Sequence, residues 1–328
     1  MKVLVTGASG FVGRHTVRHL INQRDWRVRA LRGREARMLA TESDGIEYSS
    51  PRSIDGNTAW DDAIDGVDAV LHLAARVHVL SDDADAAAAF QRVNVEGTVR
   101  LASAAKKAGV KHFVFVSSIG VNGNQTLSEP FSEQSPPAPV GPYARSKWEA
   151  EQALTETLKG SGTALTIIRP PLIYGPGAPG NCVRLRKLAE KGLPLPIGRV
   201  SNKRSVISVA NLDDFFVHVL ENPAARDELF LISDGEDVST PDLLRKIARA
   251  MNRSSRLLPF PVTILKAAAT AAGKRNEFKK LTASLQVDSS KARELLGWKP
   301  VESLDQGIHR WITEEYSIGA ATAGGPST

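Results

Sequence analysis

Short apolar runs alternate with longer segments of helical periodicity over the first 170 residues of the chain. The runs are apolar on both faces, which is typical of parallel strands covered by helices on both sides of a sheet. Regular alternation of strand and helix predicts right-handed crossovers between parallel strands. The predicted fold class is therefore α/β, with a doubly wound parallel sheet. The predicted strands are KVLVT, RVRAL, IEY, DAVLHLAA, HFVFVSS and ALTIIRP, and the predicted helices cover 11–24, 57–64, 83–109 and 143–160.

The pattern changes after residue 170, where the Gly- and Pro-rich stretch PPLIYGPGAPGN is typical of a loop. We predict a first domain over 1–170, to which a strand and helix at 205–222 return, and a smaller C-terminal α/β domain over 171–316. The small, polar tail at 317–328 is expected to be disordered. Further helices are predicted near 181–192, 210–221, 241–252, 261–272, 289–296 and 303–316.

Composition limits the cell compartment and the class of protein that we expect. Hydrophobic residues make up 42% of the 328, enough to fill a core. No apolar run approaches the roughly 18 residues of a membrane span, and the N-terminal run is too short for a signal peptide, so we expect no membrane partner. Cys182 is the only cysteine, so no internal disulfide can form, and the expected location is cytoplasmic.

The net charge of +6 and the pI of about 9.4 fit either nucleic acid binding or a cytosolic enzyme for phosphorylated ligands. Basic residues occur in scattered short clusters such as RVRALRGREAR, without aromatic interleaving or a zinc or RNA-module signature. We therefore expect no nucleic acid partner. The seven His are dispersed and the one Cys stands alone, so no metal site is expected.

Three glycines follow the first predicted strand in VLVTGASGFVGRHTV: Gly7, Gly10 and Gly13. Their spacing predicts a tight turn at the start of the first helix, where the backbone can approach a pyrophosphate closely. The helix N-terminus then offers N–H groups and a partial positive charge to the phosphates. A glycine-rich turn without a ligand is the alternative, but strand, turn and helix together favour dinucleotide binding.

Tyr143 and Lys147 stand four residues apart in GPYARSKWEAEQAL and share one face of the predicted helix. Such pairs also arise by chance, and a solvated helix face is the alternative. This pair follows the strand HFVFVSS, which ends in Ser117 and Ser118 at the sheet edge where ligands bind. A phenol has a pKa near ~10, and one positive charge about 4 Å away can lower it toward neutrality. The arrangement favours proton transfer by Tyr143, with Ser118 hydrogen-bonded to the substrate oxygen.

Together these motifs resemble the short-chain dehydrogenase/reductase superfamily. The resemblance depends on the G-x-x-G-x-x-G spacing, on HLAA at 72–75 and on the Tyr143/Lys147 pair. The length and the C-terminal half are similar to the extended branch, the NAD-dependent epimerase/dehydratase family, from TGASGFVG to VDSSKARELLGWKP. The resemblance implies a Rossmann fold, Tyr143 as general acid/base, and Lys147 as the charge that lowers the tyrosine pKa and holds the nicotinamide ribose. It also implies a homodimer through the helices at 83–109 and 143–160.

The cofactor preference depends on the end of the second strand. Family members that prefer NAD carry an acidic residue there, whereas this chain has Arg32, which suits the 2′-phosphate of NADP. We therefore expect NADP(H), with NAD(H) as the alternative. Ser53 replaces an Asp that the family tends to carry near the adenine. The predicted cofactor-binding residues are Gly7, Ser9, Gly10, Phe11, Val12, Gly13, Arg32, Ser53, Ile54, Leu73, Ala74, Ala75, Ser117, Tyr143, Lys147 and Pro170.

The resemblance also predicts residues that bind a UDP-sugar. In related nucleotide-sugar enzymes an Asn after the YGPG loop and an Arg before the return helix contact the diphosphate, and Asn181 and Arg204 match them here. A helix cap and a surface charge are their alternative roles. Asn94 matches a family Asn for which a structural hydrogen bond is the alternative, and His78 faces either substrate or solvent. The predicted substrate-binding residues are Arg76, Ser118, Asn122, Tyr143, Asn181 and Arg204.

Three functions stay open at this point. The first is an NADPH-dependent reductase of a UDP-4-keto-6-deoxy-N-acetylhexosamine, which gives UDP-N-acetylquinovosamine in bacterial surface-polysaccharide (O-antigen, lipopolysaccharide) synthesis. The second is a UDP-sugar 4-epimerase, in which tightly bound NAD takes a hydride and returns it to the other face. The third is a dinucleotide-binding sensor without turnover. A 4,6-dehydratase is not expected, because Ile119 and Gly120 after Ser118 provide no acid or base.

Overall fold

The structure is a computed structural model that describes residues 1–23, 25–31, 45–49, 53–77 and 84–323. Its strands are β1 (Lys2–Thr6), β2 (Arg27–Leu31), β3 (Ile46–Ser49), β4 (Ala69–His72), β5 (His112–Val116), β6 (Ala164–Arg169), β7 (Leu172–Tyr174), β8 (Val206–Ser208) and β9 (Leu229–Leu231). The helices are α1 (Phe11–Ile21), α2 (Asp61–Ile64), α3 (Ala84–Phe90), α4 (Gly97–Ala108), α5 (Pro142–Leu158), α6 (Asn181–Lys191), α7 (Val209–Glu221), α8 (Thr240–Ala250), α9 (Val262–Ala271), α10 (Arg275–Thr282), α11 (Ser290–Leu296) and α12 (Leu304–Ala323). No helix in these ranges is long and apolar enough to cross a membrane.

Seven of the described strands form one parallel sheet in the order β3-β2-β1-β4-β5-β6-β9. In this sheet Val3 of β1 pairs with Val28 of β2 on one side and with Ala69 of β4 on the other. The strand order reverses between β1 and β4, because the chain crosses from β3 to the far side of β1. The predicted doubly wound α/β fold is confirmed.

Alternate side chains of β1 point to opposite faces of the sheet, and helices bury both faces. Val3 and Val5 join a core with residues of α1 and α7, whereas Leu4 joins a core with residues of α2, α4 and α5. Each such side chain contributes about 1.5–3 kcal/mol when it is buried fully. Burial on both faces explains why the strand sequences are apolar throughout.

The segment predicted to return to the first domain does so through its helix. α7 packs on α1, but β8 pairs with β7 in a separate two-stranded sheet, in which Ile173 lies opposite Ile207. β8 therefore does not join the main sheet, although Ile207 packs in the core that contains Val3 and Val5. The edge of the main sheet next to β6 is formed instead by β9, a strand of three residues that the sequence pattern did not reveal.

Helices of the C-terminal part enclose a third core, which includes Tyr174, Ile247 and Trp311. α10 was not predicted. α12 continues to Ala323, across residues that the sequence assigned to the tail, and its alanines there favour helix. Residues 324–328 lie outside the described residues.

Candidate active site

The turn between β1 and α1 has almost no room for side chains. Gly7 has a φ of +71°, and a Cβ at Gly7 would lie 2.7 Å from the backbone nitrogen of Ala74. A Cβ at Gly13 would lie 2.2 Å from the carbonyl oxygen of Gly7. Packing within the chain therefore requires these two glycines. Gly10 is exposed, and its Cβ would come no closer than 3.2 Å to the Gly7 oxygen, so its bare backbone is open to a ligand.

The N-terminus of α1 is suited to an anion. Gly10 is the N-cap, no described side chain caps the helix, and its first turn holds no acidic residue. Ser9, Phe11 and Val12 lie at this turn. Backbone N–H groups at a helix N-terminus carry a partial positive charge and bind phosphates. The turn therefore fits the pyrophosphate of a dinucleotide.

Other predicted cofactor residues follow the carboxyl ends of neighbouring strands. Leu73, Ala74 and Ala75 follow β4, Ser117 follows β5, and Pro170 follows β6. Because β4 is the neighbour of β1, these ends lie along one edge of the sheet, beside the glycine turn. Ligands bind at this edge in open α/β sheets.

The residues predicted near the adenine are only partly described. Ser53 is exposed, and its carbonyl accepts a hydrogen bond of 3.0 Å from the hydroxyl of Thr58. Ile54 packs against the core beneath α4. Arg32 and His78 lie outside the described residues, so the contacts predicted for them stay predictions.

A buried histidine fixes the end of β4. His72 Nδ1 shares a 2.6 Å hydrogen bond with Thr6 Oγ1, and His72 Nε2 shares one of 2.9 Å with Thr98 Oγ1. Thr6 Oγ1 also accepts from the backbone N–H of Ala74 at 3.3 Å. Burial, and then the nearby charge of Lys147, lower the pKa of His72 to about 3. His72 is therefore neutral, and its role is to hold the strand end that borders the glycine turn.

Ser118 lies beside the start of α5. It begins a short 3₁₀ turn, and its Oγ accepts a 3.1 Å hydrogen bond from the backbone N–H of Gly120. A Cβ at Gly120 would lie 3.3 Å from Ser118 Oγ and 3.4 Å from the Cβ of Ala144. The missing side chain at Gly120 thus lets the first turn of α5 approach Ser118. The structure therefore brings Ser118 close to the turn that carries Tyr143.

Tyr143 lies in the first turn of α5, which starts at Pro142 after Gly141 with a φ of +87°. Its ring packs edge-on against Phe90, with centroids 6.1 Å apart. Burial raises the pKa of the Tyr143 hydroxyl to about 12, whereas we expected the charge of Lys147 to lower it. Burial disfavours the charged phenolate in the protein alone. The lowering of this pKa by Lys147 stays a prediction.

Lys147 lies one helical turn further along α5 and is buried. Its Nζ stands over the ring of Phe115, 4.2 Å from the centroid. Burial lowers the pKa of Lys147 to about 7, while the neighbouring carboxylate of Glu151 raises it. The amine can therefore carry a charge or lose it near neutral pH.

Asn94 ties α5 to the segment that follows β4. It lies in the π-helical turn Gln91–Glu96 between α3 and α4. Asn94 Nδ2 donates to Ser146 Oγ at 2.9 Å and to the carbonyl of Arg76 at 3.1 Å, and Asn94 Oδ1 accepts from the Arg76 N–H at 2.8 Å. Ser146 Oγ donates in turn to the carbonyl of Tyr143 at 2.8 Å. These contacts match the structural hydrogen bond that the sequence left open as the alternative role of Asn94.

A buried ion pair next to Lys147 was missed by the sequence reasoning. Glu151 accepts a 2.5 Å hydrogen bond from Arg169 Nη2 and another from the hydroxyl of Ser117. Arg169 Nη1 donates to Asn122 Oδ1 at 3.0 Å. The amide oxygen of Asn122, a predicted substrate residue, is thus already engaged within the protein. Its predicted contact with substrate stays a prediction.

The other predicted substrate residues lie apart from this network. Arg76 is exposed after β4, and Asn181 is exposed as the first residue of α6. Arg204 Nη1 donates to the carbonyls of Lys280 and Ala283 at 3.1 and 3.3 Å, and burial lowers its pKa. The guanidinium of Arg204 is thus partly used inside the protein, and the substrate roles of all three residues stay predictions.

The model of the NAD dependent epimerase/dehydratase family matches residues 3–233. The chain belongs to this family. The predicted resemblance is confirmed, and with it the prediction that the chain is an enzyme. Membership agrees with the glycine turn, the strand order and the position of Tyr143 and Lys147 after β5.

Relatives of this epimerase/dehydratase family member include two bacterial proteins of similar length. One, from Vibrio cholerae, is named UDP-glucose 4-epimerase and is 39% identical over 309 residues, 93% of each chain. Another, from Escherichia coli O157:H7, is named N-acetyl-alpha-D-glucosaminyl-diphospho-ditrans,octacis-undecaprenol 4-epimerase and is 30% identical over 328 residues, 96% of this chain and 95% of the relative.

A solved structure supports the fold of this family member. It is the UDP-glucuronic acid 4-epimerase from Bacillus cereus in complex with NAD, which has a TM-score of 0.78 and 22% identity and covers 99% of both chains. At that identity the likeness shows the shared fold.

Proposed function

We propose that the protein inverts the configuration at C4 of a UDP-sugar with tightly bound NAD. The observation that carries the proposal is the approach of Ser118 to the first turn of α5, the helix that carries Tyr143 and Lys147. The chain is also 39% identical to a protein named UDP-glucose 4-epimerase. Epimerisation at an alcohol carbon needs one group that removes the hydroxyl proton and later returns it, and Tyr143 has the chemistry and the position for this role.

Each residue of the group has a distinct task in the proposed reaction. Tyr143 takes the proton from the C4 hydroxyl on its phenol oxygen and gives it back when the carbonyl is reduced. Ser118 donates its hydroxyl hydrogen to the C4 oxygen, because its Oγ already accepts from Gly120. The cofactor, when bound, supplies the acceptor and donor of hydride.

The raised pKa of Tyr143 must fall for this reaction. In the protein alone burial holds that pKa at about 12. A protonated Lys147 and the positive charge of an oxidised nicotinamide both favour the phenolate. We therefore expect the pKa of Tyr143 to fall when the oxidised cofactor binds, and Lys147 to be protonated in that complex.

The 4-keto-sugar reductase, our first hypothesis from the sequence, becomes the second candidate. The observation that favours it is Arg32 after β2, which suits NADPH. NAD fits the epimerase better, since an epimerase consumes no net hydride and does not need a cofactor that exchanges in each turnover. The relatives named 4-epimerases support the epimerase, so the preference for NADP(H) is not carried into the first proposal.

Two assays separate these candidates. Purified protein is incubated with UDP-galactose, and separately with UDP-N-acetylgalactosamine, without added cofactor, and the sugars are separated by chromatography. C4 epimers without net change in nicotinamide absorbance support the epimerase. Stoichiometric oxidation of NADPH with a UDP-4-keto-6-deoxy-N-acetylhexosamine supports the reductase instead. A third arm uses a polyprenyl-diphosphate N-acetylhexosamine, the substrate class in the name of the Escherichia coli relative.

We also propose that the protein is a cytoplasmic homodimer that associates through α4 and α5. These helices pack side by side on one face of the sheet, and Lys107 of α4 is exposed. The support is the family resemblance. Light scattering of the purified protein at several concentrations tests the dimer.

A further inference from the structure

Residues 252–280, which we term the basic segment, differ from the rest of the C-terminal part. The segment contains α9 and most of α10, which pack against each other, yet none of its residues is fully buried. It is attached to the body by hydrogen bonds and by a few partly buried apolar side chains. Leu257 forms a β-bridge with Leu195, and Val262 and Leu281, just beyond the segment, pack against a small core.

The basic segment holds all of the net charge of the chain. It has seven Lys and Arg and one acidic residue, Glu277, a net charge of +6 that equals the net charge of the whole chain. The other residues then carry 35 basic side chains, 42 less 7, and 35 acidic ones, 36 less 1. Basic residues are scattered along the chain, but outside the basic segment acidic residues balance them in number.

Apolar side chains lie on the same feature and point into solvent. Leu258, Phe260 and Ile264 are 50%, 41% and 54% exposed. They follow one another across the loop before α9 and its first turn, while Val262 faces the protein. Exposed large apolar residues that cluster beside basic ones mark an interaction surface.

We propose that the basic segment docks on the surface of an anionic lipid bilayer. Apolar side chains that enter the interface, combined with Lys and Arg that meet anionic headgroups, are the two features of peripheral membrane binding. A second copy of the chain is disfavoured as the occupant, since pairing of two such faces brings together net charges of +6 and +6. A nucleic acid does not account for the three exposed apolar side chains.

The basic segment ends beside the predicted substrate residue Arg204. The guanidinium of Arg204 donates to the carbonyls of Lys280 and Ala283, at the end of the basic segment. Docking does not depend on which sugar reaction the enzyme performs. It revises the expectation of no membrane partner, which considered only spanning segments.

Co-sedimentation with lipid vesicles tests the proposal. We expect the full-length protein to pellet at low salt with vesicles of phosphatidylcholine and phosphatidylglycerol, but not with phosphatidylcholine alone. Lys274→Glu/Arg275→Glu should weaken binding at least about tenfold, as each basic residue near an anionic surface is worth a factor of about five. Phe260→Ser/Ile264→Ser should also weaken it severalfold.

Two matched control variants test whether the loss of binding is specific to the basic segment. Arg293→Glu/Lys299→Glu makes the same change in net charge at exposed positions elsewhere, and Val301→Ser removes an apolar side chain that is 61% exposed. Both should bind like wild type, and thermal unfolding verifies that each variant is folded. The proposal is overturned if wild type does not pellet with the anionic vesicles, or if the controls weaken binding as much as the variants of the basic segment do.

Discussion

Asn94 Nδ2 donates a buried hydrogen bond of 2.9 Å to Ser146 Oγ, and Ser146 Oγ donates in turn to the carbonyl oxygen of Tyr143 at 2.8 Å. Two side chains thus fix the backbone of the proposed acid/base relative to the end of β4. We expect Asn94→Ala to reduce kcat at least about tenfold, because Tyr143 loses its support.

The same substitution should lower the free energy of unfolding by about 1–3 kcal/mol, because it leaves buried groups without partners. Steady-state kinetics and urea unfolding measure the two effects. Asn57→Ala, at an exposed turn, is the control and should change neither. An Asn94→Ala enzyme with the kcat of wild type would show that this chain of hydrogen bonds does not position Tyr143.

Glu151 and Arg169 should behave as one unit. Glu151→Leu leaves the Arg169 guanidinium buried without its carboxylate, and we expect a loss of about 3–5 kcal/mol in the free energy of unfolding. The double variant Glu151→Leu/Arg169→Met should lose less than the sum of the single losses, because neither charge is left alone. A double-mutant cycle by urea unfolding measures this coupling, and strictly additive losses would contradict it.

The position of Glu151 was readable from the sequence, although its partner was not. Glu151 is the carboxylate in the buried stripe of α5, and a carboxylate in such a stripe needs a partner. Arg169 lies at the end of β6, and spacing along the chain does not report contacts between separate elements. The buried residues of α5 are Ala144, Ser146, Lys147, Ala150, Glu151, Leu154 and Leu158.

The fold followed from the sequence wherever apolar runs were long. The strands β1, β2, β5 and β6 were predicted because each has five or six residues, most of them apolar, and a run of this length is visible in the sequence pattern. β7 and β9 have three residues each and were missed. α10 was missed because it has only eight residues, of which Phe278 and Leu281 alone are apolar, so its helical periodicity is weak.

Lys147→Met should stabilise the cofactor-free protein while it abolishes activity. The pKa of Lys147 is about 7 in the folded chain and 10.5 ordinarily, so the folded chain binds fewer protons between these values. The cost of burying the ammonium is therefore complete below pH 7 and declines as the pH rises toward 10.5.

At about pH 6.5 we expect the free energy of unfolding of Lys147→Met to exceed that of wild type by on the order of 2 kcal/mol. This difference should shrink as the pH rises to about 9. Urea unfolding of cofactor-free protein across this range measures the effect. A gain that does not change with pH, or a variant less stable than wild type, contradicts the account of Lys147.

Gly13 and Gly10 should respond differently to the same added methyl group. Gly13→Ala places a Cβ 2.2 Å from the Gly7 carbonyl oxygen, so we expect a loss of several kcal/mol in stability. Gly10→Ala meets its nearest atom at 3.2 Å, so stability should change little while dinucleotide affinity falls. Thermal unfolding measures the stability of the two variants, and calorimetric titration measures their affinity for NAD. An NAD affinity of Gly10→Ala equal to that of wild type would show that the glycine turn does not bind the cofactor.

The most direct test of the central claim is the rate at which C4 epimers form in wild type and in Tyr143→Phe. Both proteins are loaded with NAD, whose occupancy is measured, and incubated with UDP-galactose and with UDP-N-acetylgalactosamine. The account predicts that wild type forms the C4 epimer of at least one sugar, and that Tyr143→Phe is slower by about 10²–10⁴-fold at equal NAD occupancy. A Tyr143→Phe enzyme as fast as wild type, or an NAD-loaded wild type that forms no C4 epimer from either sugar, would contradict it.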